Sequence, residues 1–280
     1  YYNTKLGDKE DYCIYTDTDS VFYPAVPLIK QQYPSFDVND EQFMTKKILE
    51  TAGVVQDFIN DSYNLFAKKF LNCDKHRFDI KQECIAKSAF WVTKKRYGQW
   101  IINDGGVPCD RLDVKGLDIV RSNFPPAMRE LMTGVLKDIL GNIDKDSIDE
   151  DILKFKKEMK KTDIMNIALP TGVKNLGKFA DKRRVGRLNS KGSIFTPMHK
   201  GTPVHVKAAW VYNDLLKYHG LENVEKIKNS EKIKWIYLKP NSLNVKQIGF
   251  KGYDDPKEIM DFIQENIDYD KLFERALLKK

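Results

Sequence analysis

Residues 41–70 place apolar side chains at Ile48, Ala52, Val55, Ile59, Tyr63, Phe66 and Phe70, in steps of three and four. That spacing predicts one long amphipathic helix whose apolar stripe must be covered. Three strand-like runs follow at 77–85, 89–102 and 110–119, with the turn signal Asn103-Asp104-Gly105-Gly106 between the last two. A helix of this length against neighbouring strands predicts a sheet with at least one covering helix, an α+β arrangement. Upstream, residues 11–23 alternate around a short polar centre and read as two strands joined by a tight turn at Asp17 to Ser20. Residues 24–40 hold three prolines and read as a loop.

The pattern changes after residue 121. Pro125-Pro126 open a run with Met128, Leu131, Val135, Leu136, Ile139 and Leu140, closed by Gly141. Proline in the first turn and glycine past the end mark a helix. Further helices are predicted near 148–161, 204–218 and 257–278, with a strand pair at 234–238 and 245–248 between the last two. Two domains, 1–121 and 122–280, fit a chain of 280 residues.

Hydrophobic residues make up 41% and charged residues 31%, which argues against a disordered tail. No run approaches the ~18 apolar residues of a membrane span, and the first residues lack the pattern of a signal peptide. The chain starts at Tyr1 without Met, so a cut or processing point is expected there. Cys13, Cys73, Cys84 and Cys109 form no C-x-x-C pair and read as reduced thiols of a cytosolic protein. The net charge of +7 says little as an average. It matters where it concentrates, and it does so between Lys174 and Lys200. There Lys182, Arg183, Arg184 and Arg187 stand among glycines with only Asp181 opposed. Clustered basic residues are the footprint of a polyanion site, although a charge run also serves as a plain solvated face.

Asp17 and Asp19 sit two apart at the predicted hairpin tip. In an extended chain both carboxylates would share a face. Two like charges that close resist ionisation unless a cation joins them, and Mg²⁺ suits such a site. An ordinary polar turn fits the same residues, since Asp, Thr and Ser are turn formers. A calcium EF-hand does not fit, because its sixth loop position would be Phe22 and its twelfth Leu28.

The string Tyr15-Thr16-Asp17-Thr18-Asp19-Ser20 resembles the Y-G-D-T-D-S palm motif of family B DNA polymerases, with Thr16 in place of glycine. Lys94-Lys95-Arg96-Tyr97 resembles the family's K-K-R-Y motif. The segment from Lys115 to Arg121 resembles its K-G-L-D-x-V-R stretch between palm and thumb, and Pro203 to Ala208 resembles its P-x-H-V-x-x-A stretch. The general run of sequence is most similar to replicative polymerases of T-even-like tailed phages.

The resemblance implies a partial palm, an antiparallel sheet with covering helices, followed by a mainly helical thumb. It implies DNA-directed nucleotidyl transfer from a dNTP to a primer 3′-end, with two Mg²⁺ ions. Asp19 would be a direct metal ligand, and Asp17 would shape the metal site and face the primer end. Lys95 would stand behind these ligands. Glu83 would do so too, or would be a solvated strand residue. Lys94, Lys95, Arg96 and Tyr97, read as lying on one strand, would grip primer–template DNA. Lys115, Arg121, Lys182, Arg183, Arg184, Arg187, His205 and Lys207 would add contacts that depend on salt but not on sequence. The four tryptophans read as core.

The family's first palm motif and its fingers helix are not found in these residues. The expected partners are therefore primer–template DNA, a dNTP, the missing N-terminal polymerase half, in the same chain or a separate one, and a sliding clamp reached through a tail outside this sequence. Alone the chain is expected to be inactive and sticky, with uncovered apolar surface. A duplex-binding module without catalysis is the alternative, and an RNA-templated enzyme fits the K-K-R-Y and K-G-L-D segments less well.

Overall fold

The computed structural model describes residues 1–180 and 194–278. The chain divides into two compact units, Tyr1–Gly116 and Leu117–Lys280; the sequence had suggested a boundary near residue 121. The fold is α+β, and no helix among the described residues is long and apolar enough to cross a membrane.

The first unit opens with α1 (Tyr2–Leu6) and an antiparallel hairpin of β1 (Tyr15–Asp17) and β2 (Ser20–Phe22). The expected loop at 24–40 instead contains a helix, α2 (Val26–Gln32). Pro27 sits in its first turn, where the missing N–H is no loss, and Leu28 and Ile29 turn inward. The long helix α3 spans Glu41–Phe70. The Asp40 carboxylate caps it by accepting from the Phe43 amide, and Lys68 and Lys69 meet the negative end of its dipole. Its apolar stripe is covered unevenly. Ala52 and Val55 are buried, but Phe66 and Phe70 are exposed, Phe70 to 68%, as are Phe58 and Leu65 outside the stripe. Two small clusters, around Tyr2, Leu28 and Val55 and around Ala25, Ile29 and Met44, form the buried contacts at this end.

An antiparallel meander follows: β3 (Cys84–Thr93), β4 (Arg96–Asp104) and β5 (Val107–Lys115). Gly105 and Gly106 both have positive φ and close the β4–β5 turn, as a two-residue hairpin requires. Two sequence readings are corrected here. Residues 77–83 are not a strand, and the run 89–102 is not one strand but two, folded back at Lys94-Lys95. Lys95 adopts φ 62° without being glycine, so the turn carried no sequence signal.

In the second unit a 3₁₀ turn (Asp118–Val120) leads to α4 (Pro126–Leu140) and α5 (Lys145–Glu158). The short α6 (Ile164–Ile167) and β6 (Leu169–Gly172) follow, then α7 (Val204–Tyr218), β7 (Lys232–Tyr237) and β8 (Gln247–Phe250). β6, β7 and β8 form one antiparallel sheet in that order. The expected helix over 257–278 is broken into α8 (Lys257–Asn266) and α9 (Tyr269–Phe273), the latter continuing as a π turn to Leu278. The break falls at Ile267-Asp268, where Ile267 bridges Leu238 and the Asp268 side chain accepts from the Lys271 amide.

α7 packs directly on β8, since a side chain at Gly249 would come within 3.2 Å of the Ala208 backbone. Tyr212, Leu215, Leu216, Ile236, Ile248 and Phe250 are fully sealed in the resulting core. Burial drives this packing, at roughly 25 cal/mol per Å² of apolar surface. The polar groups that enter the core are satisfied. Asn213 exchanges two hydrogen bonds with the backbone of Ile227, and the Asp214 carboxylate accepts from the Thr196 amide and hydroxyl.

Arg129 on α4 pins the segment that enters this unit. Its guanidinium donates to the carbonyls of Ile119 (3.0 Å), Arg121 (2.9 Å) and Phe124 (3.2 Å). Arg129→Met keeps most of the aliphatic bulk and removes these donors. It is expected to destabilise the unit by about 2 kcal/mol, since bonds from a charged donor are worth about 1.5–3 kcal/mol each and the freed carbonyls partly rehydrate. An unchanged urea midpoint for the unfolding of this unit would contradict that.

Candidate active site

The β1–β2 hairpin docks on the β3–β4 end of the meander through four rings. Tyr15 and Phe22 each lie within 6.4 Å, centroid to centroid, of both Trp91 and Tyr97. Such tilted and edge-on pairs add roughly 0.5–1.5 kcal/mol each beyond area burial. The docking sets the acidic tip beside the Lys94-Lys95 turn.

Lys95 then holds Asp17 by two routes. Its ammonium lies 3.4 Å from Asp17 Oδ1. Its amide donates to the Tyr15 hydroxyl at 3.0 Å, and that hydroxyl donates to Asp17 Oδ2 at 3.3 Å. The Lys95 carbonyl faces Gly116, where an added Cβ would lie 2.1 Å from the oxygen. Gly116 has φ 67°, so both its conformation and its lack of a side chain are required. Tyr97 pairs with Lys115 across β4 and β5. The three separate strings, 15–20, 94–97 and 115–116, thus meet at one end of the first unit.

Partial burial pushes the Asp17 carboxyl upward, but the Lys95 ammonium and hydrogen bonds from Thr18, Lys95 and Tyr15 outweigh it and hold the group below its ordinary value. A carboxyl depressed by folding stabilises the fold above its unfolded pKa, about 3.9, and loses that contribution as pH falls through the folded value. Lys95→Met removes the largest favourable influence. The Asp17 titration, followed by carbon NMR of its carboxyl, is expected to move upward toward its unfolded value, and the acid-side loss of stability to shrink. A titration identical to wild type would show that the ion pair does not persist in solution.

Asp19 is exposed and its carboxylate engages no described residue. The expectation that both carboxylates share a strand face is corrected. Thr18 takes φ 54°, and the Asp19 amide turns back to the Asp17 carbonyl at 2.6 Å, so the chain is not extended between them. The two acids are adjacent through a tight turn instead. Among the described residues no three His, Cys, Asp or Glu side chains come together as a metal cage.

Lys94, Lys95, Arg96 and Lys115 gather at this same end. Because Lys94 and Lys95 form the turn, the reading of Lys94, Lys95, Arg96 and Tyr97 as one strand does not hold. Lys115 reaches Asp113 at 3.1 Å. Arg96 Nε and Trp91 Nε1 are buried without a hydrogen-bond partner. Glu83 is not brought to the site. It precedes β3, its carbonyl accepts from Gly105 at the opposite turn, and the ten residues of β3 carry it about 30 Å away.

In the second unit Arg121 pairs with Asp118 at 2.7 Å. His205 and Lys207 both lie in the first turn of α7, two positions apart and so on different faces of the helix. Burial lowers the His205 pKa, so its ring adds no positive charge at neutrality. Lys182, Arg183, Arg184 and Arg187 lie outside the described residues. Sequence reasoning gave no role to Tyr15 as a hydroxyl relay or to Gly116 as the seat of the Lys95 carbonyl. A glycine directly after a strand was the available signal for the second, and nothing marked the first.

The family model for DNA polymerase family B matches residues 64–279. The matched span contains the Lys94–Tyr97 turn, Lys115 to Arg121 and α7, and begins after the acidic hairpin. No curated protein matches the chain. A match over most of the 280 residues is enough to place it: the chain belongs to DNA polymerase family B.

Proposed function

We propose that this chain is the palm-and-thumb portion of a DNA-directed DNA polymerase, with its first unit as part of the palm and its second as the thumb. In this reading it serves template-directed nucleotidyl transfer to a primer 3′-end in DNA replication. The carrying observation is that Lys95 ties the Asp17–Asp19 turn to the Lys94–Tyr97 hairpin within one unit of a family B chain.

Two carboxylates of one tight turn, Asp19 engaging no described residue, are hard oxygen donors of the kind Mg²⁺ takes, together with substrate phosphates. Asp19, then Asp17, would hold the ions, with a further carboxylate supplied from outside these residues. Bound Mg²⁺ would supply stabilisation of the attacking and leaving oxygens. The chain's own residues position and neutralise. Lys95 keeps Asp17 ionised and fixed, while Lys94, Arg96 and Lys115 offer positive charge to a phosphate backbone at the same end. The unpartnered Arg96 Nε supports a polar partner arriving there. Arg121, His205 and Lys207, with the basic run at Lys182, Arg183, Arg184 and Arg187, would line the duplex in the thumb.

The exposed apolar end of α3 supports a second polypeptide segment covering it, the N-terminal polymerase half. The motif strings support placement among T-even-like phage polymerases. The test is primer extension with Mg²⁺ by this chain combined with the segment that carries the first palm motif and fingers, against Asp19→Asn in parallel. Extension is expected from the combination only. Extension by this chain alone would overturn the split, and duplex binding without extension in any combination would leave a DNA-binding module.

A further inference from the structure

A groove in the second unit is not accounted for by nucleotidyl transfer. α4 and α5 frame a cavity of about 540 Å³. Its floor is apolar, with Leu131, Val135 and Phe155. Its rim carries Glu130, Asp138, Asp151 and Glu158 against the single cation Lys154. None of the four carboxylates is paired with a described residue. This is a concentrated negative edge on a chain of net charge +7, and it repels a phosphate backbone.

A second observation concerns Gly134, which also lines the groove. It sits inside α4, is exposed, and a Cβ built on it would meet nothing within 4 Å. An internal helical glycine costs about 0.5–1 kcal/mol relative to alanine. No contact within the described chain uses the space it leaves. On the other wall, α5, which supplies Asp151, Lys154, Phe155 and Glu158 to the groove, has no fully buried residue.

We propose that this groove docks an amphipathic helix of a partner protein, with an apolar stripe flanked by Lys and Arg. Leu131 and Val135 are one turn apart, so the floor runs along α4, which at 15 residues is about 22 Å long. An elongated apolar floor takes helix anchors at i, i+4 and i+7. The four carboxylates select a basic rim over an acidic one, and Gly134 lets the partner backbone approach closely.

The test is fluorescence anisotropy with the full chain. The probe is a labelled synthetic helix bearing Leu at i, i+4 and i+7 and Lys or Arg beside them. The comparison peptide has Glu at the basic positions. The basic peptide is expected to bind with a Kd of about 10 μM, more tightly at low salt, and the acidic one at least about tenfold more weakly. Glu130→Lys combined with Asp151→Lys should reverse that order. Gly134→Leu should abolish binding while leaving the thermal midpoint equal or higher, which separates blockage from unfolding. Absence of basic-peptide binding at about 100 μM, or binding that both variants leave unchanged, would overturn the proposal. Self-association of the chain that Gly134→Leu removes would overturn it too, by placing a second copy in the groove.

Discussion

Asp19→Asn in the assembled polymerase is expected to lower Mg²⁺-dependent primer extension by about 10³-fold, or about 4 kcal/mol of transition-state stabilisation. Affinity for primer–template duplex should stay within a few-fold. The asymmetry with Asp17 follows from the site. Asp19 is open and would give its charge wholly to the reaction, whereas Asp17 is already held by Lys95, Tyr15 and Thr18. Asp17→Asn should therefore cost less rate, about 10²-fold, and also loosen the Lys95 turn. Single-turnover extension with both variants separates chemistry from binding. Equal, small losses would remove the acidic turn from the reaction.

Gly116→Ala is the largest structural effect expected. The added methyl would stand 2.1 Å from the Lys95 carbonyl, at φ 67°. Gly105→Ala is the matched control, because Gly105 also has positive φ but open space around it. The control should cost about 1–2 kcal/mol, the conformational share alone. Gly116→Ala should cost about 3 kcal/mol or more, and should raise the Asp17 titration because the Lys95 turn must move. Urea unfolding followed by tryptophan fluorescence, with NMR of Asp17, reads both. Equal losses in the two variants would mean that the close approach relaxes without consequence.

The sequence made α3 and α4 legible because three- and four-residue spacing, closed in α4 by Gly141, is a local signal. The Gly105-Gly106 turn was legible for the same reason. What was not legible depended on tertiary support. Lys95 takes a left-handed conformation where its amide donates to the Tyr15 hydroxyl and its carbonyl packs against Gly116, and no adjacent residue announces it. β6 contains Pro170, which argues against a central strand and is tolerated here only because β6 is an edge. At the site, the acidic pair and the Lys-Lys-Arg-Tyr string were visible as separate strings. Their meeting through Lys95 and the four-ring docking was not, and neither was the removal of Glu83 to the far end of β3. A strand's register decides which end a residue reaches, and composition does not encode it.

The aromatic and leucine side chains left bare along the last turns of α3 bear on how a cell keeps this polypeptide. Where the covering segment is a separate polypeptide, newly made copies that have not met it would present the kind of surface that chaperones hold and proteases survey. Surplus copies would be cleared, so steady-state abundance would track the supply of whatever covers Phe66 and Phe70. Matching of amounts would then be enforced after translation, by degradation of the excess, without requiring a dedicated control on synthesis.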